Sequence, residues 1–323
     1  MKAVRVHKPG GPEGLVYEDV PDPKAGAGQA VVKVEAIGLN FAEVNRRRDA
    51  DPASLPMPIG GEAAGTVVEV GEGVTMFKMG DRVAFNGVPG AYAEKVVAPA
   101  ARLVRVPDNV TTKQAAAVLL QGMTAHYLAC STYPLGAHDT CLVHAAAGGV
   151  GLLLCQIAQQ RGARVIGTVS TEAKARAARE AGASETILYN QVDFAPEVKR
   201  LTDGRGVDVI YDSVGKTTFA KGLDCLRPRG MMVVYGQASG PVTPVDTGLL
   251  STKGCLYLTR VNLGTYTATR QELEERSGDI FKWVASGQLK VHICSEYPLA
   301  EAARAQAALE QRETIGKVLL IPS

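Results

Sequence analysis

Residues 146–151 read Ala-Ala-Gly-Gly-Val-Gly, between the apolar run CLVHA and the helical run VGLLLCQIAQQ. Side chains this small leave main-chain N–H groups open to close approach. The spacing is that of G-x-G-x-x-G with Ala146 in the first position. The second glycine lets a pyrophosphate reach the backbone, and the third lets the following helix pack on the preceding strand. Alanine serves at the first position where the turn there does not need a positive φ. The helix that follows turns its first N–H groups and the positive end of its dipole toward the anion. The chemistry this spacing suits is the grip of a dinucleotide by peptide amides.

A second strand, ARVIGTVS, ends at Ser170. A site that prefers NAD usually carries Asp or Glu at this strand's tip, bonded to the ribose hydroxyls. Here the tip is Gly167-Thr168-Val169-Ser170, and Lys174 follows one helical turn later. A hydroxyl with an ammonium nearby suits a 2′-phosphate, which an acid would repel. Glu172 reads as a first-turn residue favoured by the helix dipole. Tyr189, after the strand ETILY, can complete the pocket. As a set these residues point to NADP(H).

The elements that must position them alternate. CLVHA, ARVIGTVS, VDVIYDSVG and GMMVVYG are compact apolar strands, with helices VGLLLCQIAQQRG, TEAKARAAREAG, FAPEVKRLT and TTFAKGLDCL between them. Such alternation implies a parallel, doubly wound α/β sheet with right-handed crossovers. Residues 1–110 instead hold short Val-rich strands punctuated by Gly and Pro. Thr111 or Thr112 can cap a helix that opens at NVTTKQAAAVLL. The tail carries two helical stretches and a last strand, GKVLLIP. The expected layout is a β-rich domain built from 1–122 with 262–323, and a Rossmann domain at 123–261.

Composition is that of an ordinary globular protein: 323 residues, 46% hydrophobic and 21% charged. With 35 basic and 33 acidic residues well mixed, no surface dedicated to nucleic acid or membrane is expected. Arg46-Arg47-Arg48 reads as a solvated edge. The six cysteines are scattered, without C-x-x-C, and Cys141 and Cys155 read as small core residues. His126, His138 and His144 form no ligand set, and His144 is expected to pack or to bond the backbone. No signal-peptide block or membrane span is visible, so the chain is expected to be cytoplasmic.

With AIGLNF, IGGEAAGTVVEVGEGV, GDRVA, LLQGMTAHYL, HAAAGGVG, YDSVG, GQASGPV, LTR and GKVLLIP in order, the whole chain resembles the medium-chain dehydrogenase/reductase superfamily. Within it, the chain resembles the zinc-free quinone oxidoreductase (zeta-crystallin-like) branch. The zinc-dependent members read G-H-E where this chain has Gly60-Gly61-Glu62, and carry a Cys where it has Asn40. Neither Asn nor Gly replaces those ligands, and the four-cysteine zinc loop is missing, so no metal is expected.

The resemblance implies a GroES-like catalytic domain beside the Rossmann domain, and it implies roles. Gly148, Gly149 and Val150 would hold the pyrophosphate, and Ser170, Lys174 and Tyr189 the 2′-phosphate. Thr124, Tyr127 and Ser213 would line the dinucleotide trough. Tyr235 and Gln237 would lie by the nicotinamide half, with Arg260 near the domain junction and Arg312 coming from the tail. Asn40, Glu43 and Asn45 would sit where the acceptor meets the nicotinamide.

The branch usually has Asp at Glu43, tyrosines near Asn45 and Asp51, and Asn at Gln237. A flat aromatic acceptor would find fewer rings here to stack against.

The expected chemistry is hydride transfer from the nicotinamide of NADPH to an electron-poor acceptor such as a quinone. Asn40 would donate its amide to the developing oxyanion, and either Glu43 or water would supply a proton. An alternative for Asn40 is a left-handed turn residue, and for Glu43 a packing role. An enone or alkenal (C=C) reductase is the alternative activity. A nucleotide-binding crystallin-like or RNA-binding protein is a second. By resemblance, the segment CLYLTRV would pair two subunits into a homodimer.

Overall fold

The computed structural model describes all 323 residues. The chain divides into two compact units, residues 1–123 with 267–323 and residues 124–266. In chain order come strands β1 (Lys2–Val6), β2 (Leu15–Asp19) and β3 (Gln29–Gly38), then helix α1 (Phe41–Arg48). Strands β4 (Met57–Pro58), β5 (Glu62–Val70), β6 (Arg82–Asn86), β7 (Lys95–Pro99) and β8 (Leu103–Arg105) follow, then helix α2 (Thr112–Tyr127). The alternating part is β9 (Thr140–His144), α3 (Gly149–Gln160), β10 (Arg164–Val169), α4 (Glu172–Glu180), β11 (Glu185–Leu188) and α5 (Phe194–Leu201). It continues through β12 (Val207–Asp212), α6 (Phe219–Cys225), β13 (Leu226–Val234), α7 (Thr247–Thr252), β14 (Tyr257–Arg260) and α8 (Leu263–Tyr266). The chain closes with α9 (Arg270–Ala285), β15 (Ile293–Pro298), α10 (Ala302–Glu310) and β16 (Lys317–Ile321).

The first unit is organised by β3. This strand pairs antiparallel with β5 from Ala30 to Ile37, with β7 from Gln29 to Lys33, and with β16 at Ile37 and Gly38. Being paired on every side, it buries almost all of QAVVKVEAIG. Val4, Val6, Ile37, Leu39, Ile59, Phe85 and Leu320 close the core around it. Each such side chain contributes about 1.5–3 kcal/mol by leaving water. The consequence for the site is topological. The end of β3, the start of β5 and the start of β16 converge, so Gly38–Asn40, Glu62 and Lys317 meet although the chain separates them widely.

The second unit is a six-stranded parallel sheet in the order β11-β10-β9-β12-β13-β14. A parallel sheet with helices on both faces hides its strands from water, which is why they read as unbroken apolar runs. Every residue of β12 is buried. Cys141 and Cys155 are wholly inside. Strand order reverses between β9 and β12. Ligands of such sheets bind outside the carboxyl ends of the strands at that reversal.

Three features depart from the sequence reading. Residues 262–266 go with the parallel unit, because Tyr266 stacks on Tyr127 with ring centroids 4.2 Å apart and its hydroxyl is bonded to Thr132. Helix α1 was not expected: its buried residues are Glu43, Val44 and Arg47, so polar burial masks any apolar stripe. For the same reason the arginine run is not a solvated edge throughout. Arg47 is completely buried, donating to Gly10 O at 3.0 Å and Gln306 Oε1 at 2.6 Å, and it is paired with Glu310.

Candidate active site

The glycine turn lies at the carboxyl end of β9 and runs into α3. Gly148 is the N-cap, with φ −76° and ψ 171°, and no side chain caps the helix. The first helical bond runs from Leu152 N to Gly148 O, so the amides of Gly149, Val150 and Gly151 have no acceptor within the helix. The positive φ of the turn falls on Ala145 (54°), not on Ala146, and that is why alanine is tolerated in the first position of the motif. A Cβ on Gly151 would come within 2.3 Å of Ala145 O, and one on Gly148 within 3.2 Å of the same oxygen. The third glycine therefore permits helix–strand packing, and the donors beside it are free to meet an anion. This cradle fits a pyrophosphate.

At the tip of the next two strands, Val169 pairs with Leu188, so Ser170 and Tyr189 leave the sheet side by side. Tyr189 N donates to Val169 O at 3.1 Å, and Asn190 Nδ2 to Ser170 O at 3.2 Å. Thr171 caps α4, its hydroxyl accepting from Lys174 N at 3.3 Å, and this holds Lys174 in the first turn. Glu172 is exposed at the helix start, where the dipole favours it. Ser170 and Tyr189 thus follow adjacent strand ends, with Lys174 in the first turn of the helix after β10.

Beyond the reversal point, Ser213 follows β12 and Tyr235 and Gln237 follow β13. The two loops are laced by Tyr235 N to Asp212 O at 2.9 Å and Ala238 N to Ser213 O at 3.1 Å. Ser213 also hydrogen-bonds the Tyr235 phenol, whose pKa burial pushes up. Arg260 ends β14 and donates to Val234 O at 3.1 Å, at the same edge of the sheet. Thr124 and Tyr127 are buried, Tyr127 in its stack with Tyr266. Arg312 belongs to the other unit, in a left-handed turn (φ 60°) after α10. His144 is buried beneath the turn, bonded to the Thr168 hydroxyl at 2.9 Å rather than to backbone, and edge-on to Phe194.

The first unit holds a buried polar cluster. Lys317 Nζ donates to Glu62 Oε2 at 2.7 Å and to Asn40 Oδ1 at 2.9 Å, and Lys317 is only 2% exposed. Glu62 Oε1 accepts from Leu120 N at 2.6 Å. Asn40 Nδ2 donates to Glu62 Oε2 at 2.9 Å and to Gly38 O at 3.3 Å, while its Oδ1 also accepts from Gln121 Nε2 at 3.1 Å. Asn40 is extended (φ −134°), not left-handed, and with Glu43 forms the capping box of α1. Both amide hydrogens of Asn40 are thereby committed, which leaves none for a substrate oxyanion. Glu43 Oε2 accepts from Asn40 N at 2.9 Å. Burial raises the Glu43 pKa from 4.5 to about 7, with Lys317 opposing and Glu62 reinforcing the rise. Asn45, two residues on, points about 200° around the helix axis from Glu43, so the expected trio does not share one face.

Family models match at both ends of this layout: an alcohol dehydrogenase GroES-like domain over residues 26–108, and a zinc-binding dehydrogenase model over 149–280. A quinone oxidoreductase of Pseudomonas aeruginosa is 47% identical over 97% of each chain. The chain belongs to the quinone oxidoreductase branch of the medium-chain dehydrogenase/reductase superfamily. The solved structure of an Escherichia coli quinone oxidoreductase complexed with NADPH shares 43% identity, covers 100% of both chains and superposes with a TM-score of 0.97. A 2-haloacrylate reductase from a Burkholderia species is 42% identical over 100% of this chain and 99% of its own.

The zinc in one model's description finds no donors in this quinone oxidoreductase relative. No three His, Cys, Asp or Glu side chains are grouped to hold an ion. No helix is long and apolar enough to cross a membrane. Sequence reasoning found the glycine turn between β9 and α3, but it missed Lys317, Glu62 and Gln121. A lysine opening the last apolar strand and a glutamate opening β5 were the available signals: charged residues at the mouths of otherwise apolar strands.

Proposed function

We propose that the protein is an NADPH-dependent quinone oxidoreductase that reduces electron-poor acceptors without a metal. The observation that carries this reading is the paired geometry of the second unit. An uncapped α3 offers the amides of Gly149, Val150 and Gly151 at the sheet's reversal point, and Ser170 and Tyr189 follow adjacent strand ends with Lys174 in the first turn of the next helix. Bound NADPH supplies a hydride. Gly148, Gly149 and Val150 hold its pyrophosphate, and Ser170, Lys174 and Tyr189 its 2′-phosphate. Thr124, Tyr127, Ser213, Tyr235, Gln237 and Arg260 shape the remainder of the cofactor site.

On the acceptor side, the reading assigns Glu43 the titratable role and Asn40 the fixed frame around it, and leaves Asn45, on another face of α1, outside the site. An enone or other activated C=C acceptor is the second reading. The similarity to a 2-haloacrylate reductase favours it, as does the polar stretch around Asn45 and Asp51, which offers no ring for a quinone to stack on. The protein is proposed to be a cytoplasmic homodimer. Strand β14 is the last of its sheet, and Tyr257 stands 58% exposed on that open edge.

Calorimetric titration with NADPH and NADH, then steady-state rates on a panel of quinones and enones, tests the reading. Tight NADPH binding and quinone turnover are expected. Absence of heat with either reduced coenzyme would overturn it.

A further inference from the structure

The cluster of the first unit contains two carboxylates, Glu43 and Glu62, but one ammonium, Lys317. Glu62 receives the Lys317 ammonium, the Asn40 amide and the Leu120 N–H. Between them these three donors occupy both of its oxygens. Glu43 receives only backbone donors, Asn40 N at Oε2 and its own N–H, and no cation donates to it. The groups facing Glu43 are Lys317 from β16, Glu62 from β5 and the buried Tyr92 phenol, with Arg47 and Gln306 beyond it. Lys317 is already spent on Glu62, so a second negative charge there would be unbalanced in a dry site.

The remaining oxygen, Oε1, has a particular outlook. A Cβ built on Gly61 would meet it at 3.4 Å and would meet nothing else within 4 Å. Space therefore stands open beside Gly61, bordered by Glu43 Oε1.

We propose that Glu43 delivers the proton that completes reduction of the acceptor, and that Lys317, held on Glu62, is the positioning residue that sets the pH at which Glu43 gives that proton up. The proposal rests on the reductase reading. The acceptor gains a hydride with its electron pair and becomes an anion. The Glu43 Oε1–H bond then breaks as a new O–H or C–H bond forms on the acceptor. The carboxylate left behind regains its proton from water before the next turnover.

Infrared titration of the cofactor-free protein, run beside pH–rate profiles, tests this. Wild type should show one protonated carboxyl band that titrates near neutrality, and kcat should fall about tenfold per pH unit above that point. Glu43→Gln should remove the band and the falling limb and lower kcat about 100-fold, with NADPH affinity unchanged. Gly61→Ala adds a methyl at ordinary contact distance. It should keep the band but lower kcat, because the exit for the proton is filled. Lys317→Met should move band and limb to higher pH, and Lys317→Arg should leave both in place. A band that survives in Glu43→Gln, or wild-type kcat and pH profile in that variant, would overturn the proposal while leaving the reductase reading intact. Failure to bind NADPH would instead remove the reductase reading and leave the titration standing as a property of the cluster.

Discussion

The glycine turn of the second unit and the polar cluster of the first solve the same problem, holding charge in a fold, by opposite means. The turn offers backbone amides, exposed because the side chains around them are nearly absent. The cluster uses long side chains from β16, β5, α1 and α2, sealed from water and wired to one another. A backbone site depends on what is missing and tolerates few additions. A side-chain site depends on every member being present and tolerates few removals.

The sharpest way to break this comparison is at Lys317. Lys317→Met leaves Glu62 buried without its cation and Asn40 Oδ1 short of a donor. Breaking a buried pair on one side costs about 3–5 kcal/mol. Urea unfolding should show that loss, and the double variant Lys317→Met with Glu62→Gln should recover part of it. Equal stability of wild type and Lys317→Met would mean that the cluster is not the keystone of the first unit.

Glu43 should make that region pH-sensitive where the turn is not. Its pKa is raised on folding, from 4.5 to about 7. Between those values the native state holds more protons than the unfolded chain, so stability is full below about pH 4.5 and declines as pH rises through 7. A shift of this size corresponds to about 3 kcal/mol. Unfolding free energies of wild type and Glu43→Gln, compared from pH 5 to 8, should diverge, with wild type losing ground as pH rises. Parallel curves would remove Glu43 as the source.

The second unit is probed by its ligand. Lys174→Ala removes the ammonium from the proposed phosphate pocket and should weaken NADPH by about 10- to 100-fold, the worth of a charge-assisted bond of about 1.5–3 kcal/mol. NADH, lacking the 2′-phosphate, should be little affected. Calorimetry on both coenzymes decides it, and equal losses would contradict the pocket.

The same contrast governs what could be read in the sequence. The parallel sheet was legible because doubly covered strands are apolar throughout, and the turn because Gly148 and Gly151 leave a local trace. A cap at Thr111 or Thr112 was legible, and it is the Thr111 hydroxyl that accepts from Gln114 N at 3.1 Å. Helix α1 was not, because Glu43 and Arg47 are buried where an amphipathic helix would show apolar residues. Lys317 was not, because nothing within fifty residues hints at Glu62: only the pairing of β16 and β5 through β3 brings them together. Sites made by local backbone leave a signature, whereas sites made by strand register leave scattered charges.

The smallest effect should come from Thr171, where the two kinds of site overlap. Its hydroxyl is a side chain, yet it acts on backbone by accepting from Lys174 N at the start of α4. Loss of such a cap costs about 1 kcal/mol. Thr171→Ala should therefore lower stability by that amount and let the first turn of α4 fray. Lys174 sits in that turn, so NADPH affinity should fall several-fold while NADH affinity holds, a weaker copy of the Lys174→Ala result. Stability loss without any coenzyme discrimination would show that Lys174 reaches its phosphate whether or not the helix start is fixed. The pocket would then belong with the side-chain sites, and the line drawn between the two regions would have to move.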